Sequence, residues 1–95
     1  AQAVQAKIKT RLWRIRECYQ RELPNAPGLA GKVVMELQIE ESGRVSRAEA
    51  LENTTRSESI AACIGGELRL LRFDPGPEGG SVVFKYPFVF KPAQD

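Results

Sequence analysis

Apolar residues recur every three or four positions at the start of the chain, which is the period of an amphipathic helix. These positions are Val4, Ile8, Leu12, Ile15, Tyr19 and Leu23. Pro24 has no amide hydrogen and disfavours helical geometry in the residue before it, so we expect the helix to end near Leu23. Trp13 falls nearly opposite the apolar stripe. There it either contacts a partner or a preceding part of a longer chain, or is simply an exposed aromatic side chain.

The pattern changes to period two over residues 32–40, which predicts a β-strand. One face of this strand is apolar and contains Val33, Met35, Leu37 and Ile39. The other face is largely polar. The strand is therefore expected to have one buried face and one face in water.

A turn and a second strand follow the first strand. Residues 41–44 include Gly43, which suits the positive φ of a tight turn. The second strand is predicted from about Arg44 to Leu51, but its alternation of apolar and polar positions is broken. A β-bulge near residues 46–47 would return Ala48 and Ala50 to the inner face.

A second helix is predicted after the second strand. Ser57 is a suitable N-cap, and the buried stripe behind it contains Ile60, Ile64, Leu68 and Leu71. Glycine inside a helix costs about 1 kcal/mol relative to alanine. We therefore expect Gly65 and Gly66 to allow a close approach of the backbone to the sheet or to the other helix.

The last element is a strand from Val82 to Phe90, after a loop over residues 73–80. Val82, Phe84, Tyr86, Phe88 and Phe90 share one face of this strand, and we expect the aromatic residues to be buried under the helices. The order helix-strand-strand-helix-strand predicts an α+β fold, with a three-stranded sheet of order 2-1-3 and two helices on one face. Pro87 places the last strand at an edge, because proline cannot donate to a ladder.

The composition is that of one small globular domain spanning residues 1–95, with 42% hydrophobic and 27% charged residues. The chain begins with Ala1 and has no starting Met, so we expect a fragment of a longer protein. Six basic residues (Lys7, Lys9, Arg11, Arg14, Arg16, Arg21) and two acidic ones give residues 1–23 a net charge of +4. Such a helix either attracts nucleic acid or anionic lipid, or is a solvated surface.

The side chains available exclude most catalytic chemistry. Two cysteines and no histidine cannot supply a structural zinc site or a base for a thiol nucleophile. The pairs Glu40 with Glu41 and Glu49 with Glu52 fall in a turn or on solvent-facing positions, where a carboxylate is poorly placed for acid–base work. We therefore expect neither an enzyme nor a bound metal or cofactor.

Several short motifs, in this order and spacing, resemble the C-terminal domain of TonB-type proteins. They are Cys18-Tyr19 with Leu23, Gly31-Lys32-Val33, Gly43-Arg44-Val45, Phe73-Asp74-Pro75 and Tyr86-Pro87-Phe88-Val89-Phe90. The paired Cys18 and Cys63, with Gly79-Gly80, are most similar to the AgmX/PglI-type branch of myxobacterial gliding machinery. The resemblance covers about Ile8 to Phe90. Asp74 departs from the pattern, in which the Phe is usually followed directly by Pro.

This resemblance implies a periplasmic domain at the end of an inner-membrane-anchored protein. Domains of the family engage outer-membrane or periplasmic proteins, and a partner peptide can add as a strand to the sheet edge. An exposed edge is also a template for another strand on physical grounds alone. The expected partner-binding residues are Val82, Val83, Phe84, Lys85, Tyr86, Pro87, Phe88, Val89 and Trp13. The alternative is an edge merely blunted by Lys85 and Pro87.

Three further expectations follow from the predicted layout. Cys18 and Cys63 lie on the flanks of the two apolar stripes, which predicts a disulfide between them; two buried reduced thiols are the alternative. So open a fold is prone to strand exchange between two copies, which would give a homodimer. The rival function is a nucleic-acid-binding module that uses the basic first helix and the aromatic residues of the last strand.

Overall fold

The structure is a computed structural model that describes residues 2–91. Its elements, in chain order, are α1 (Gln2–Lys9), α2 (Leu12–Gln20), β1 (Gly31–Ile39), β2 (Val45–Asn53), α3 (Glu58–Leu68) and β3 (Val82–Phe90). The three strands form one antiparallel sheet in the order β2-β1-β3. The predicted α+β architecture and strand order are confirmed.

The first helix is interrupted, where the sequence predicted one continuous helix. The amides of Thr10 and Arg11 donate to carbonyls three residues back, and the Thr10 hydroxyl donates to the Lys7 carbonyl at 2.6 Å. This side-chain bond competes with the helical pattern and tightens the turn. The α-helix also ends at Gln20, and only turns lead on to Pro24.

A bulge in β2 lies where the sequence predicted it. Val45 pairs with Ile39 and Arg47 pairs with Gln38, so Ser46 is the extra residue. The register then places Ala48 opposite Leu37 and Ala50 opposite Met35, which are both buried. Ala48 is buried as predicted, but Ala50 remains exposed. A second irregularity follows Ala50.

The core lies between the sheet and the helices, and α3 packs mainly on β2. Ser57 caps α3 as predicted, because its hydroxyl accepts the amide of Ile60 at 3.2 Å. The predicted stripe of Ile60, Ile64, Leu68 and Leu71 is buried. A Cβ on Gly65 would lie 3.1 Å from the Ala48 carbonyl oxygen, so this glycine does allow a close approach to the sheet.

A disulfide joins the two helices that cover the sheet. Cys18 of α2 bonds Cys63 of α3, with their Cα atoms 5.7 Å apart. Cys18 is buried and Cys63 is half-buried. The predicted pairing is therefore present, and it fixes α2 beside α3.

Candidate functional site

The outer edge of β3 is the longest regular strand edge in the described part of the chain. β3 pairs with β1 over nine consecutive residues without a register shift. No other strand within residues 2–91 lies on its outer side. Its outward backbone groups are therefore available to another chain.

The hydrogen bonds of β1 show which backbone groups of β3 point outward. In an antiparallel strand, the N–H and C=O of one residue point to the same neighbour, and successive residues alternate. The Lys32 carbonyl accepts the amide of Thr54 at 2.8 Å, so the even-numbered residues of β1 face β2. The odd-numbered residues of β1 consequently face β3. They include Val33, opposite Phe88, and Leu37, opposite Phe84.

It follows that the even-numbered residues of β3 turn their backbone groups towards β1. The backbone groups of Val83, Lys85, Pro87 and Val89 then face away from the sheet. Pro87 fits this parity, because its missing amide hydrogen is not needed by β1. The free edge thus presents the amides of Val83, Lys85 and Val89, with a gap at Pro87.

The side chains of β3 are less covered than the sequence predicted. Phe88 and Phe90 are buried, but Phe84 and Tyr86 are only half-buried, although they lie on the same face. The reason is that α3 lies over β2 and β1, while helix contacts with β3 are sparse. Three exposed valines also lie in this strand: Val82, Val83 and Val89, at 43%, 54% and 64% exposure.

Shallow depressions lie along the helix side of the same edge. One of about 200 Å³ lies beside Tyr86 and Phe88, with Leu12 and Arg16 of α2 in its wall. Another, of about 240 Å³, lies at the Val82 end. A strand added to the edge would direct every second side chain towards these depressions. Sequence reasoning did not predict Leu12 or Arg16 as binding residues, because it assigned Leu12 to the buried stripe and Arg16 to the basic surface of the helix.

The opposite edge of the sheet, formed by β2, is less suitable for strand addition. Two register shifts interrupt its pairing with β1, and bulges of this kind blunt an edge. The chain after α3 also covers the start of β2. The Phe73 amide donates to the Gly43 carbonyl at 2.8 Å, and Arg72 bridges to Arg44.

Trp13 does not join the β3 edge, although both were predicted to contact a partner. Its side chain is 56% exposed, and the Arg14 guanidinium carbon lies 4.6 Å from its ring centroid. It lines none of the depressions beside β3. The structure therefore separates the predicted partner-binding residues into two surfaces.

The described part of the chain shows neither a metal site nor a membrane-spanning helix. Within residues 2–91, no cluster of acidic, thiol or imidazole groups could hold a metal ion. None of the described helices is both long enough and apolar enough to cross a bilayer.

No family model matches the chain, and no curated protein or solved structure matches it.

Proposed function

We propose that this chain is a protein-docking domain that binds an extended segment of a partner as a fourth strand on the outer edge of β3. The observation that carries the proposal is the edge itself. It is nine residues long, free of bulges, unpaired in the described part of the chain, and bears three exposed valines. Soluble proteins usually cover such an edge or blunt it with charges, prolines and bulges unless something binds there, and here only Lys85 and Pro87 interrupt it.

The proposed complex draws its affinity from the backbone and its specificity from side chains. The outward amides of Val83 and Lys85 would donate to carbonyls of the partner. Partner residues opposite Tyr86 and Phe88 would direct their side chains to the depression beside Leu12. Pairing is weaker next to Pro87, which has no amide hydrogen to donate.

The proposed location is the bacterial periplasm, in a protein anchored to the inner membrane. Two observations support it. The disulfide between Cys18 and Cys63 is typical of an oxidising compartment. The resemblance to TonB C-terminal domains favours an outer-membrane or periplasmic protein as the partner, in energy transduction or in gliding motility.

The nucleic-acid alternative has less support. A stacking platform needs exposed aromatic rings on an open sheet face, but the aromatic residues of β3 lie on the helix side. The open face instead carries carboxylates, including Glu36, which pairs with Arg47 at 3.3 Å, and Glu52, which pairs with Lys32 at 3.7 Å. These ion pairs occupy Lys32 and Arg47, so the open face has few free cations for phosphates.

The experiment is a selection of random extended peptides on the folded domain, followed by binding measurements on variants. Val83→Pro and Lys85→Pro each remove an outward amide hydrogen. Each should weaken binding of the selected peptides at least about tenfold, because the partner loses one backbone hydrogen bond and the adjacent bonds of the added strand are disturbed. Val83→Ala and Lys85→Ala are the matched controls, because they keep the amides. They should bind nearly as the parent does.

Two results would contradict the proposal. One is that no peptide is enriched on the parent domain over a denatured control. The other is that both proline variants stay folded and bind the selected peptides with unchanged affinity. In that case the basic side of α2, with Trp13, becomes the leading docking surface.

A further inference from the structure

The exposed Trp13 lies on the side of α2 that points away from the sheet. Ile15 of the same helix is buried, and two residues at 100° each place Trp13 about 200° around the helix from it. Glu17 lies one turn further along the same side, and the exposed Gln20 lies two turns further. We call this side of α2, which includes Arg14, together with the exposed Lys7 and Lys9 of α1, the helix crest.

The helix crest is basic, and its charges are not neutralised within the domain. Residues 2–20 contain five basic side chains and one acidic side chain, Glu17. The ion pairs within residues 2–91 all lie on the open face of the sheet, and none includes Lys7, Lys9 or Arg14. These three residues are exposed. The positive potential of the crest therefore remains available to an external anion.

The surroundings of Trp13 favour one kind of occupant. Protein interfaces have an apolar centre, but the crest around Trp13 consists of Arg14, Glu17 and Gln20. A single amphipathic ring beside a cation, on helices that carry further basic residues, instead matches a bilayer surface, where tryptophan lies at headgroup level and basic residues attract anionic lipid. The Arg14 guanidinium already lies over the ring, so one cation and the ring would reach the surface together.

We propose that the helix crest docks on the headgroups of an anionic phospholipid bilayer, with Trp13 at the interface and with Lys7, Lys9 and Arg14 supplying the positive charge. This contact does not depend on strand addition. The crest points away from the sheet, and Trp13, Lys9 and Arg14 line none of the depressions beside β3. A domain held on the bilayer in this way keeps the β3 edge accessible to a partner.

The experiment uses the fact that Trp13 is the single tryptophan of the chain. Its fluorescence is recorded while the protein is titrated with vesicles of phosphatidylglycerol and phosphatidylethanolamine, and separately with vesicles of phosphatidylcholine. We expect a blue shift and sedimentation with the anionic vesicles alone, and a loss of both at high salt. Lys9→Gln and Arg14→Gln should each lower the partition coefficient about fivefold, because each removes one charge near the surface.

The controls separate the crest from net charge and from the β3 edge. Lys85→Gln removes one exposed charge from the open face and should leave partitioning almost unchanged. Trp13→Ser should reduce sedimentation with the anionic vesicles, and Val83→Pro should not. The proposal is overturned if the neutral vesicles bind equally, or if Lys85→Gln weakens partitioning as much as Arg14→Gln. It is also overturned if single-stranded DNA, and not the vesicles, shifts the Trp13 emission.

Discussion

The ring of Tyr19 stacks on the ring of Phe90, with centroids 5.0 Å apart and planes inclined by 19°. The Tyr19 hydroxyl also donates to the carbonyl of Leu29. One side chain of α2 therefore contacts the end of the edge strand and bonds the loop before β1. This contact anchors the Phe90 end of β3, whereas the middle of the strand is only partly covered.

The first prediction is that shortening different side chains of β3 to alanine lowers the free energy of unfolding by different amounts, because the helices cover the strand unevenly. Phe88 is 4% exposed, so Phe88→Ala should lower the free energy of unfolding by about 3–5 kcal/mol. Tyr86 is half-buried, so Tyr86→Ala should cost clearly less. Urea denaturation of both variants measures the difference. Equal costs for the two variants would show that the two side chains are equally buried.

The second prediction concerns the disulfide between Cys18 and Cys63. The two residues are 45 positions apart, so the closed loop should stabilise the fold by about 4 kcal/mol in the chain-entropy model. Replacing both cysteines with serine should lower the denaturation midpoint accordingly. Thiol titration of the unfolded, unreduced protein should find no free thiol. Two free thiols per chain would contradict the pairing.

The third prediction tests the assignment of outward and inward amides in β3 without any partner. Val83→Pro and Lys85→Pro should keep the domain folded, because these amides do not bond β1. Phe84→Pro should destabilise it by roughly 1–3 kcal/mol or more, because a buried carbonyl of β1 loses its donor. Thermal unfolding followed by circular dichroism compares the three variants. A Phe84→Pro variant as stable as the Val83→Pro variant would show that the even-numbered residues of β3, and not the odd-numbered ones, turn their amides outward.

The fourth prediction contrasts two glycines. Gly43 has a φ of +88°, and a Cβ there would lie 1.8 Å from the Phe73 carbonyl oxygen, so Gly43→Ala should be strongly destabilising. Gly66 lies inside α3, and a Cβ there would meet no atom of a neighbouring segment within 4 Å, so Gly66→Ala should stabilise the domain by up to about 1 kcal/mol. Chemical denaturation of both variants provides the test. If both substitutions raised the free energy of unfolding, or both lowered it, the described surroundings of the two glycines would be wrong.

The sequence by itself determined the order of elements and the faces that they bury. Periodicity placed Ile15 and Ile64 in the core, and the broken alternation around Ser46 located a bulge. These features could be predicted because they depend on neighbouring residues and on the backbone repeat, which is 3.6 residues in a helix and two residues in a strand. Pro87 located the edge strand for the same reason, since a missing amide hydrogen is a local property.

The tertiary structure alone decided how much of each face is covered. Phe84 and Phe88 occupy equivalent positions in the pattern of β3, yet only Phe88 is buried, because coverage depends on where helices distant in sequence come to lie. The separation of Trp13 from the β3 edge was decided in the same way. Both surfaces are recognisable in the sequence, but the distance between them is set by the packing of α2 on the sheet.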